Sequence, residues 1–176
     1  MGTTAKWVLD PTHSELQFKV RHMMITNVKG EFKNFSVDVD GEDITNAKYN
    51  ISIDTTSINT NNEQRDEHLR SADFFDAENF KNLTFTTTSS KLKGDDEFEL
   101  IGNLTIKGVT KEVKLDLEYG GTNKDPWGNE KAGFSVEGKI NRKDWNLNWN
   151  AALETGGVLV SDEVKISGEM QFVKQS

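Results

Sequence analysis

The sequence predicts an all-β fold, an antiparallel barrel of about eight strands with one short helix at a mouth of the barrel. Apolar and polar residues alternate along most of the chain, which is the pattern of strands that bury one face and wet the other. Turn-forming pairs such as Asp40-Gly41 and Gly120-Gly121 separate the alternating runs. The 176 residues include 14 Gly but only 2 Pro, and the hydrophobic fraction of 34% suits a thin-walled sheet better than large packed helices.

The alternating runs define the predicted strands in chain order. Strand-like sequence begins at Trp7-Val8-Leu9, and several later breaks are short enough for neighbouring runs to pair as antiparallel hairpins. Closing such a sheet removes its unpaired edges, although two packed sheets would give the same periodicity. The apolar phase of the main runs consists of Leu16, Phe18 and Val20; Val28, Gly30 and Phe32; Tyr49, Ile51 and Ile53; Leu83 and Phe85; Phe98, Leu100, Gly102, Leu104 and Ile106; Val113, Leu115, Leu117 and Tyr119; Phe134, Val136, Gly138 and Ile140; and Val164, Ile166, Gly168, Met170 and Phe172.

Residues 61–70 break the alternation and predict a short helix. Asn61 is the predicted N-cap, because Gln64 follows three residues later as in a capping box. Phe74 and Phe75 come directly after the helix and need a buried position. We therefore place the helix at one mouth of the barrel.

The acidic composition limits the partners. The net charge is −8 and the isoelectric point is about 4.9. Such a surface repels phosphate backbones, so we expect no nucleic acid partner, and anionic membrane surfaces are disfavoured for the same reason. No apolar stretch is long enough for a transmembrane helix, so no integral membrane association is expected. The oligomeric state is left open, a homodimer included.

The sequence offers little catalytic chemistry. It has no Cys, and its three His lack the spacing of metal motifs, so neither a metal nor another cofactor is predicted. His13 and Ser14 are adjacent, but neighbours on a strand point to opposite faces and cannot act as base and nucleophile. Residues 1–6 lack a signal-peptide pattern, which predicts a cytoplasmic location; removal of a leader would instead imply a secreted or periplasmic protein.

The inward face decides between a packed core and a ligand cavity, since a barrel of this size can hold either. It carries Gly30, Gly102, Gly138 and Gly168, which add no side-chain volume and could leave a continuous slot. Alternatively, these glycines mark bends or close approaches of the backbone. The inward phase carries no expected cation, so a neutral, methyl-rich chain suits such a slot better than a fatty acid does.

Four sequence blocks resemble the YceI-like proteins: Leu9–Ser14, Asn61–Phe75, Gly102–Thr110 and Asn141–Trp145. They occur in the family's order and extend over essentially the whole chain. The resemblance implies a lipocalin-like antiparallel barrel with a helix beside it. It also implies that a polyisoprenoid, of polyprenyl or quinone type, is bound with its chain threaded through the barrel.

Two positions depart from the family pattern. Trp145-Asn146 stands where relatives usually carry Phe-Gly, and Phe80-Lys81 stands where an aromatic-Pro pair is common. Either change could reshape a mouth of the barrel, so the headgroup preference stays open.

The candidate ligand-binding residues come from the inward phase and from aromatic residues expected at the mouths. Aromatic rings can pack against the flat double bonds of an isoprenoid. His22 would hydrogen-bond either a headgroup or a strand carbonyl. Trp145 and Trp149 belong to a segment, 143–155, that we expect to lie as a loop or strand near the mouth opposite the helix. The candidates are Phe18, Val20, His22, Phe32, Ile51, Phe74, Phe75, Phe85, Leu100, Gly102, Leu104, Phe134, Val136, Gly138, Trp145, Trp149, Ile166 and Phe172.

Three arginines near the predicted mouths have two interpretations. Arg65, Arg70 and Arg142 either hold a phosphate or form ordinary salt bridges, for example with Asp66 or Asp144. We favour the salt bridges.

We therefore predict that residues 1–176 form a single lipid-binding domain that is not an enzyme. It would bind, and carry or store, a long isoprenoid lipid in the barrel interior. Two alternatives stay open. One is a filled barrel that serves as a stress-related protein-interaction module without a ligand, and the other is an uncharacterised enzyme acting on an isoprenoid.

Overall fold

The computed structural model describes residues 6–23, 25–41, 47–147 and 160–175. Within them the chain forms eleven strands and one α-helix, α1, at Glu63–Arg70. The strands β1 to β11 are Lys6–Leu9, Glu15–His22, Thr26–Phe32, Phe35–Asp40, Lys48–Asp54, Ile58–Asn59, Asn82–Leu92, Glu97–Ile106, Val109–Lys124, Glu130–Asn141 and Val160–Gln175.

Short breaks divide three of the long barrel strands, so β1 continues as β2, β3 as β4, and β5 as β6. Consecutive long strands pair antiparallel around the barrel. The last strand, β11, returns to the first, because Phe172 lies opposite Leu9 on β1 and Ile166 lies opposite Phe18 on β2. The predicted all-β antiparallel barrel is thus confirmed as a closed barrel of eight long strands, and the two-sheet alternative is wrong.

The two ends of the barrel differ. One end, which we call the helix end, contains the turn after β2, helix α1, the β8–β9 turn and the residues that follow β10. The other end, the far end, contains the β7–β8 and β9–β10 turns. Trp145 lies in a 3₁₀ turn at Arg142–Trp145, and its Nε1 donates to the carbonyl of Leu104 at 2.9 Å. This part of the chain is therefore at the helix end, and its predicted position at the opposite mouth is wrong.

The helix begins one residue later than predicted. Asn62 is the N-cap, and its side-chain oxygen accepts a hydrogen bond from the backbone N–H of Arg65 at 3.1 Å. Asn61 has a left-handed φ of 61°, whereas an N-cap residue takes the extended region. The start is further fixed by Asp66, a buried carboxylate that accepts from both the N–H and the hydroxyl of Thr60. The predicted capping box is therefore absent.

The inward glycines do not leave a slot. Each one is covered by a side chain or a carbonyl of the neighbouring strand, so the close-approach interpretation holds. An added Cβ would lie 2.2 Å from the Phe18 ring at Gly30, 2.6 Å from the Phe85 ring at Gly102, 2.5 Å from Leu115 at Gly138 and 3.0 Å from the Glu15 carbonyl at Gly168.

We expect Gly102→Ala to destabilise the fold by about 1–3 kcal/mol, because its Cβ would overlap the Phe85 ring and lie 2.5 Å from the carbonyl oxygen of Thr86. The matched control is Gly133→Ala on β10, where nothing lies within 4 Å of the added atom. That variant should be neutral or slightly stabilising, since alanine restricts the unfolded chain. Urea denaturation of both variants measures the difference, and equal stabilities would contradict the close packing at Gly102.

Asp10 fixes the break between β1 and β2. Its carboxylate caps a 3₁₀ turn at Pro11–His13 by accepting from the N–H of Thr12 at 3.0 Å and its hydroxyl at 2.6 Å. His13 Nδ1 lies 2.9 Å from the same carboxylate. The hydrogen bonds from Thr12 and His13 lower the pKa of Asp10 from 3.8 to about 2.

We expect Asp10→Asn to destabilise the protein by about 1–2 kcal/mol at neutral pH. A lowered pKa means that the carboxylate stabilises the fold above the unfolded pKa of 3.8 and loses this contribution as the pH falls through about 2. The difference from the wild-type protein should therefore narrow between these pH values, as followed by urea denaturation. Asp38→Asn, an exposed position on β4, is the control with a much smaller effect, and a pH-independent Asp10→Asn difference would refute the assignment.

Candidate functional site

An apolar cavity occupies the helix-end half of the barrel. Its volume is about 150 Å³, and the empty space that also counts the part open to solvent is about 1100 Å³. The volume of the cavity itself is below the roughly 300–1,000 Å³ of pockets that enclose drug-sized ligands. The accessible lining atoms are apolar throughout. The lining residues are Leu16, Gln17, Phe18, Val20, Phe32, Ile51, Ile53, Leu69, Phe75, Leu83, Phe85, Leu104, Ile106, Val113, Leu115, Val136, Ile140, Arg142, Leu147, Val160, Val164, Ile166 and Met170.

Helix α1 and the turn after it cover the cavity on one side. Leu69 and Phe75 reach the lining from this element. The Phe75 ring meets Phe32 edge-on at 5.9 Å between ring centroids, and Phe32 lies 5.6 Å from Phe18. A continuous row of rings therefore connects the helix to β3 and β2.

Aromatic rings fill the far-end half of the barrel. Tyr49, Phe134 and Phe172 lie 6.0–6.3 Å from one another, and Tyr119 stacks on Phe134 at 5.1 Å. A void of only about 20 Å³ remains among these residues. The cavity thus narrows at mid-barrel instead of running through the barrel at constant width.

The wall of the cavity is more exposed on one side than on the other. Inward residues of β7, β8 and β9 are buried at this level, namely Leu83, Phe85, Leu104, Ile106 and Val113. Inward residues of β2, β10 and β11 are half-exposed, namely Phe18, Val20, Ile140, Val164 and Ile166. The lining is therefore least buried along β2, β10 and the first half of β11.

Arg142 is a buried cation at the edge of the cavity, which corrects the expectation that the interior has none. Its side chain is only 3% exposed. The guanidinium donates to the carbonyls of Ser161, Val160 and Leu147. Burial lowers the pKa of Arg142, and the Asp162 carboxylate 4.0 Å away opposes this shift.

These contacts make Arg142 a structural clamp. An arginine donates from five N–H groups in a fixed plane, and here they tie the turn after β10 to the start of β11. The two other arginines also bind carbonyls, Arg65 that of Thr60 and Arg70 that of Thr56, and Arg70 lies 3.6 Å from Glu63. The predicted partners Asp66 and Asp144 are therefore wrong.

Most of the predicted binding residues lie in the barrel interior. The main cavity is lined by Phe18, Val20, Phe32, Ile51, Phe75, Phe85, Leu104, Val136 and Ile166. The smaller void is lined by Leu100, Phe134 and Phe172, and also by Ile51 and Val136.

Other predicted residues lie elsewhere. Trp145 is buried with its indole N–H on the Leu104 carbonyl, and Phe74 packs edge-on against His68 at 5.2 Å. His22 ends β2 opposite Thr26 and does not line the cavity. Gly102 and Gly138 are covered by neighbouring side chains, and Trp149 lies outside the described residues.

Sequence reasoning omitted several lining residues. Most of them share the inward phase of their strands, so alternation alone could have identified them: Leu16, Ile53, Leu83, Ile106, Val113, Leu115, Ile140, Val164 and Met170. Arg142 and Leu147 gave no such signal, because they follow the end of β10 and enter the wall through a 3₁₀ turn.

The departures from the family pattern have local structural roles. Asn146 adopts the left-handed region, with φ 62° and ψ 25°, which glycine also adopts and asparagine tolerates. The carbonyls of Phe80 and Lys81 accept from the buried hydroxyl of Thr55 at 2.9 Å each.

The described residues contain no group of three or more histidine and carboxylate side chains placed to hold a metal ion. His13 pairs with the carboxylate of Asp10 at 2.9 Å, and His68 pairs with that of Asp73 at the same distance. In the described part of the chain, no helix combines the length and apolar character needed to cross a membrane. The cavity thus presents apolar surface, with Gln17 and Arg142 as its polar lining residues.

The fold and cavity together define a closed antiparallel barrel with an internal apolar pocket beside a short helix. A family model described as the YceI-like domain matches residues 7–172, so the chain belongs to the YceI-like family. A UPF0312 protein of Staphylococcus epidermidis is 44% identical over 170 residues, covering 95% of this chain and 96% of the relative. A UPF0312 protein of Staphylococcus aureus is 41% identical over 169 residues, covering 94% and 96%.

Solved structures share the fold. The Campylobacter jejuni YceI protein superposes with a TM-score of 0.77 at 34% identity, covering 90% of this chain and 91% of that one. Burkholderia cenocepacia BcnA gives a TM-score of 0.80 at 23% identity, covering 93% and 98%. A polyisoprenoid binding domain from Saccharophagus degradans gives a TM-score of 0.69 at 17% identity, covering 97% of this chain and 99% of that one.

We expect Arg142→Met to destabilise the protein by about 3 kcal/mol or more, because buried carbonyls lose their donor. The control is Lys143→Met, whose exposed ammonium lies 3.4 Å from Asp162 and should contribute about 0–1 kcal/mol. Thermal and urea denaturation compare the two variants. If Arg142→Met lowered the free energy of unfolding no more than Lys143→Met does, the hydrogen bonds of Arg142 would contribute nothing to stability.

Proposed function

We propose that this protein binds a long isoprenoid lipid, of polyprenyl or quinone type, with the apolar tail in the helix-end cavity, and that it carries or stores this lipid. The observation that carries the proposal is the wall of the cavity, whose accessible atoms are all apolar. Burial of hydrocarbon is favourable by about 0.8 kcal/mol for each methylene, so a tail needs no polar contacts to bind there.

A neutral isoprenoid suits the cavity better than a fatty acid does. The guanidinium of Arg142 already donates to three carbonyls, so it is committed to the backbone before any carboxylate arrives. Phe18, Phe32 and Phe75 form a row of rings against which flat double bonds can pack. The headgroup would remain at the half-exposed wall along β2 and β11, near the end of β2 at His22.

The comparisons support the same class of ligand. The Saccharophagus degradans protein that shares this fold is described as a polyisoprenoid binding domain. Membership of the YceI-like family and this likeness favour a binding protein over an enzyme. A cytoplasmic location and a homodimer remain predictions.

Native mass spectrometry of protein purified gently from its own host tests the proposal. A bound mass in the polyprenyl range is expected. Delipidated protein should also take up an added polyprenol but not palmitate. A ligand-free protein that binds neither would support the filled-barrel alternative, and turnover of the polyprenol would support the enzyme.

We expect Val113→Phe to reduce uptake of the polyprenol strongly, because Val113 lines the cavity and a ring there occupies the space of the tail. The matched control is Glu112→Phe, which places the same ring on the exposed face of β9. The fraction of loaded protein in native mass spectra measures the effect, and circular dichroism confirms that both variants fold. Equal loading of the two variants would place the ligand outside the cavity.

A further inference from the structure

Lysines form a row on the outer wall of the barrel, across four adjacent strands. The row consists of Lys139 on β10, Lys165 on β11, Lys19 on β2 and Lys29 on β3, each directly opposite the next. Adjacent strands are about 4.8 Å apart, so the row is about 14 Å long. Like charges directly opposite each other destabilise a sheet, so the row is costly for the fold alone.

Most of these charges are not neutralised. Lys139 lies 3.7 Å from Glu163. Within the described ranges, Lys19, Lys29 and Lys165 have no carboxylate within 4.0 Å. The row is therefore a local cationic surface on a protein whose net charge is −8.

Carboxylates lie on both sides of the row. Glu137 and Asp116 are opposite each other and line the same surface depression as the lysines, on the far-end side of the row. On the helix-end side, Glu163 lies two residues before Lys165 on β11 and pairs with Lys139. The positive charge is therefore concentrated in the row itself.

The tip of the β2–β3 hairpin, next to the row, exposes apolar side chains. Met23 is 44% exposed and Ile25 is 74% exposed. Lys19 and the tip are separated by three residues of strand, or about 10 Å. An element with apolar residues at its end and lysines along its stem matches the interfacial zone of a bilayer, where apolar groups enter about 5–10 Å and basic groups stay among the headgroups.

The far end provides a comparison within the same molecule. It also exposes large apolar side chains, Leu92 at 62% and Trp127 at 83%. Leu92 lies between Lys91 and Lys93 but is followed by the acidic run Asp95–Glu97, and Trp127 follows Lys124 and Asp125. The charges at the far end are therefore mixed, whereas the exposed apolar residues of the β2–β3 hairpin adjoin the lysine row.

The row lies on the outside of the least buried part of the cavity wall. Lys19 lies between Phe18 and Val20 along β2, and the two neighbours of Lys165 on β11 also line the cavity. The same strand segments therefore present lysines outward and half-exposed apolar walls inward. Contact of this face with a bilayer would bring the mouth of the cavity to the lipid surface.

We propose that the β2–β3 hairpin tip and the lysine row, Lys139, Lys165, Lys19 and Lys29, form a docking surface for an anionic phospholipid membrane. The tip enters the interface while the lysines contact the headgroups. Its purpose, exchange of the lipid between bilayer and cavity, rests on the proposed function. The docking itself depends only on charge and exposure.

Vesicle sedimentation with delipidated protein at low ionic strength tests the docking. Vesicles of equal parts phosphatidylcholine and phosphatidylglycerol should bind the protein, and phosphatidylcholine alone should not. The triple variant Lys19→Gln, Lys29→Gln and Lys165→Gln should bind about 100-fold more weakly. The control triple Lys48→Gln, Lys91→Gln and Lys124→Gln makes the same change of net charge at the far end and should bind like the wild-type protein.

Serine substitutions at the two ends separate a membrane from another polyanion. Ile25→Ser should weaken vesicle binding several-fold, whereas Trp127→Ser should not. Three results would overturn the proposal: no binding of the wild-type protein to anionic vesicles, equal loss in both lysine triples, or full vesicle binding by Ile25→Ser together with equally tight binding of a single-stranded oligonucleotide. The last result would indicate a general polyanion site.

Loading from detergent distinguishes this proposal from the lipid-binding proposal. The Lys19, Lys29 and Lys165 triple variant should take up polyprenol from detergent as the wild-type protein does, since none of the three lines the cavity. For the wild-type protein, normal loading from detergent without binding to anionic vesicles would overturn the docking alone. Vesicle binding without any loading would overturn the lipid-binding function and leave the docking surface in place.

Discussion

The structure depends on the double pairing of one long strand. β11 spans sixteen residues and pairs with β1 at its end and with β2 along its first part. This closes the sheet, so the described strands leave no long edge for pairing with another chain. It also links two different interiors, because Phe172 belongs to the aromatic half of the barrel and Ile166 to the cavity. The 3₁₀ turn capped by Asp10 separates β1 from β2 and lets both of them pair with β11.

Periodicity predicted the strands because an alternating face reports burial directly, but it left a closed barrel and two packed sheets as alternatives, which only the strand pairing separates. It could not predict what fills the interior. Phase places Gly30 and Phe18 on the same inward surface, but only the register shows that the ring of one covers the backbone of the other. The same limit applies to the helix start, where Asn61 and Asn62 are equivalent in sequence and only the backbone conformation selects Asn62.

Arg142 shows why charge is hard to assign from strand phase. Its position after β10 removes it from the alternation, and the 3₁₀ turn then directs its side chain inward. The carbonyls of Leu147, Val160 and Ser161 supply acceptors that sequence does not reveal, because they come from irregular backbone and from the start of β11. A buried cation satisfied by backbone carbonyls stabilises the mouth without offering a charge to a ligand.

The aromatic layer at mid-barrel closes the cavity on the side of the far end. Tyr49, Phe134 and Phe172 form its floor. A tail that exceeds the depth of the cavity has to fold back or leave methylenes in water, and each exposed methylene forfeits about 0.8 kcal/mol. Under the proposed function, the side chains at these three positions would therefore set the longest tail that the cavity can bury.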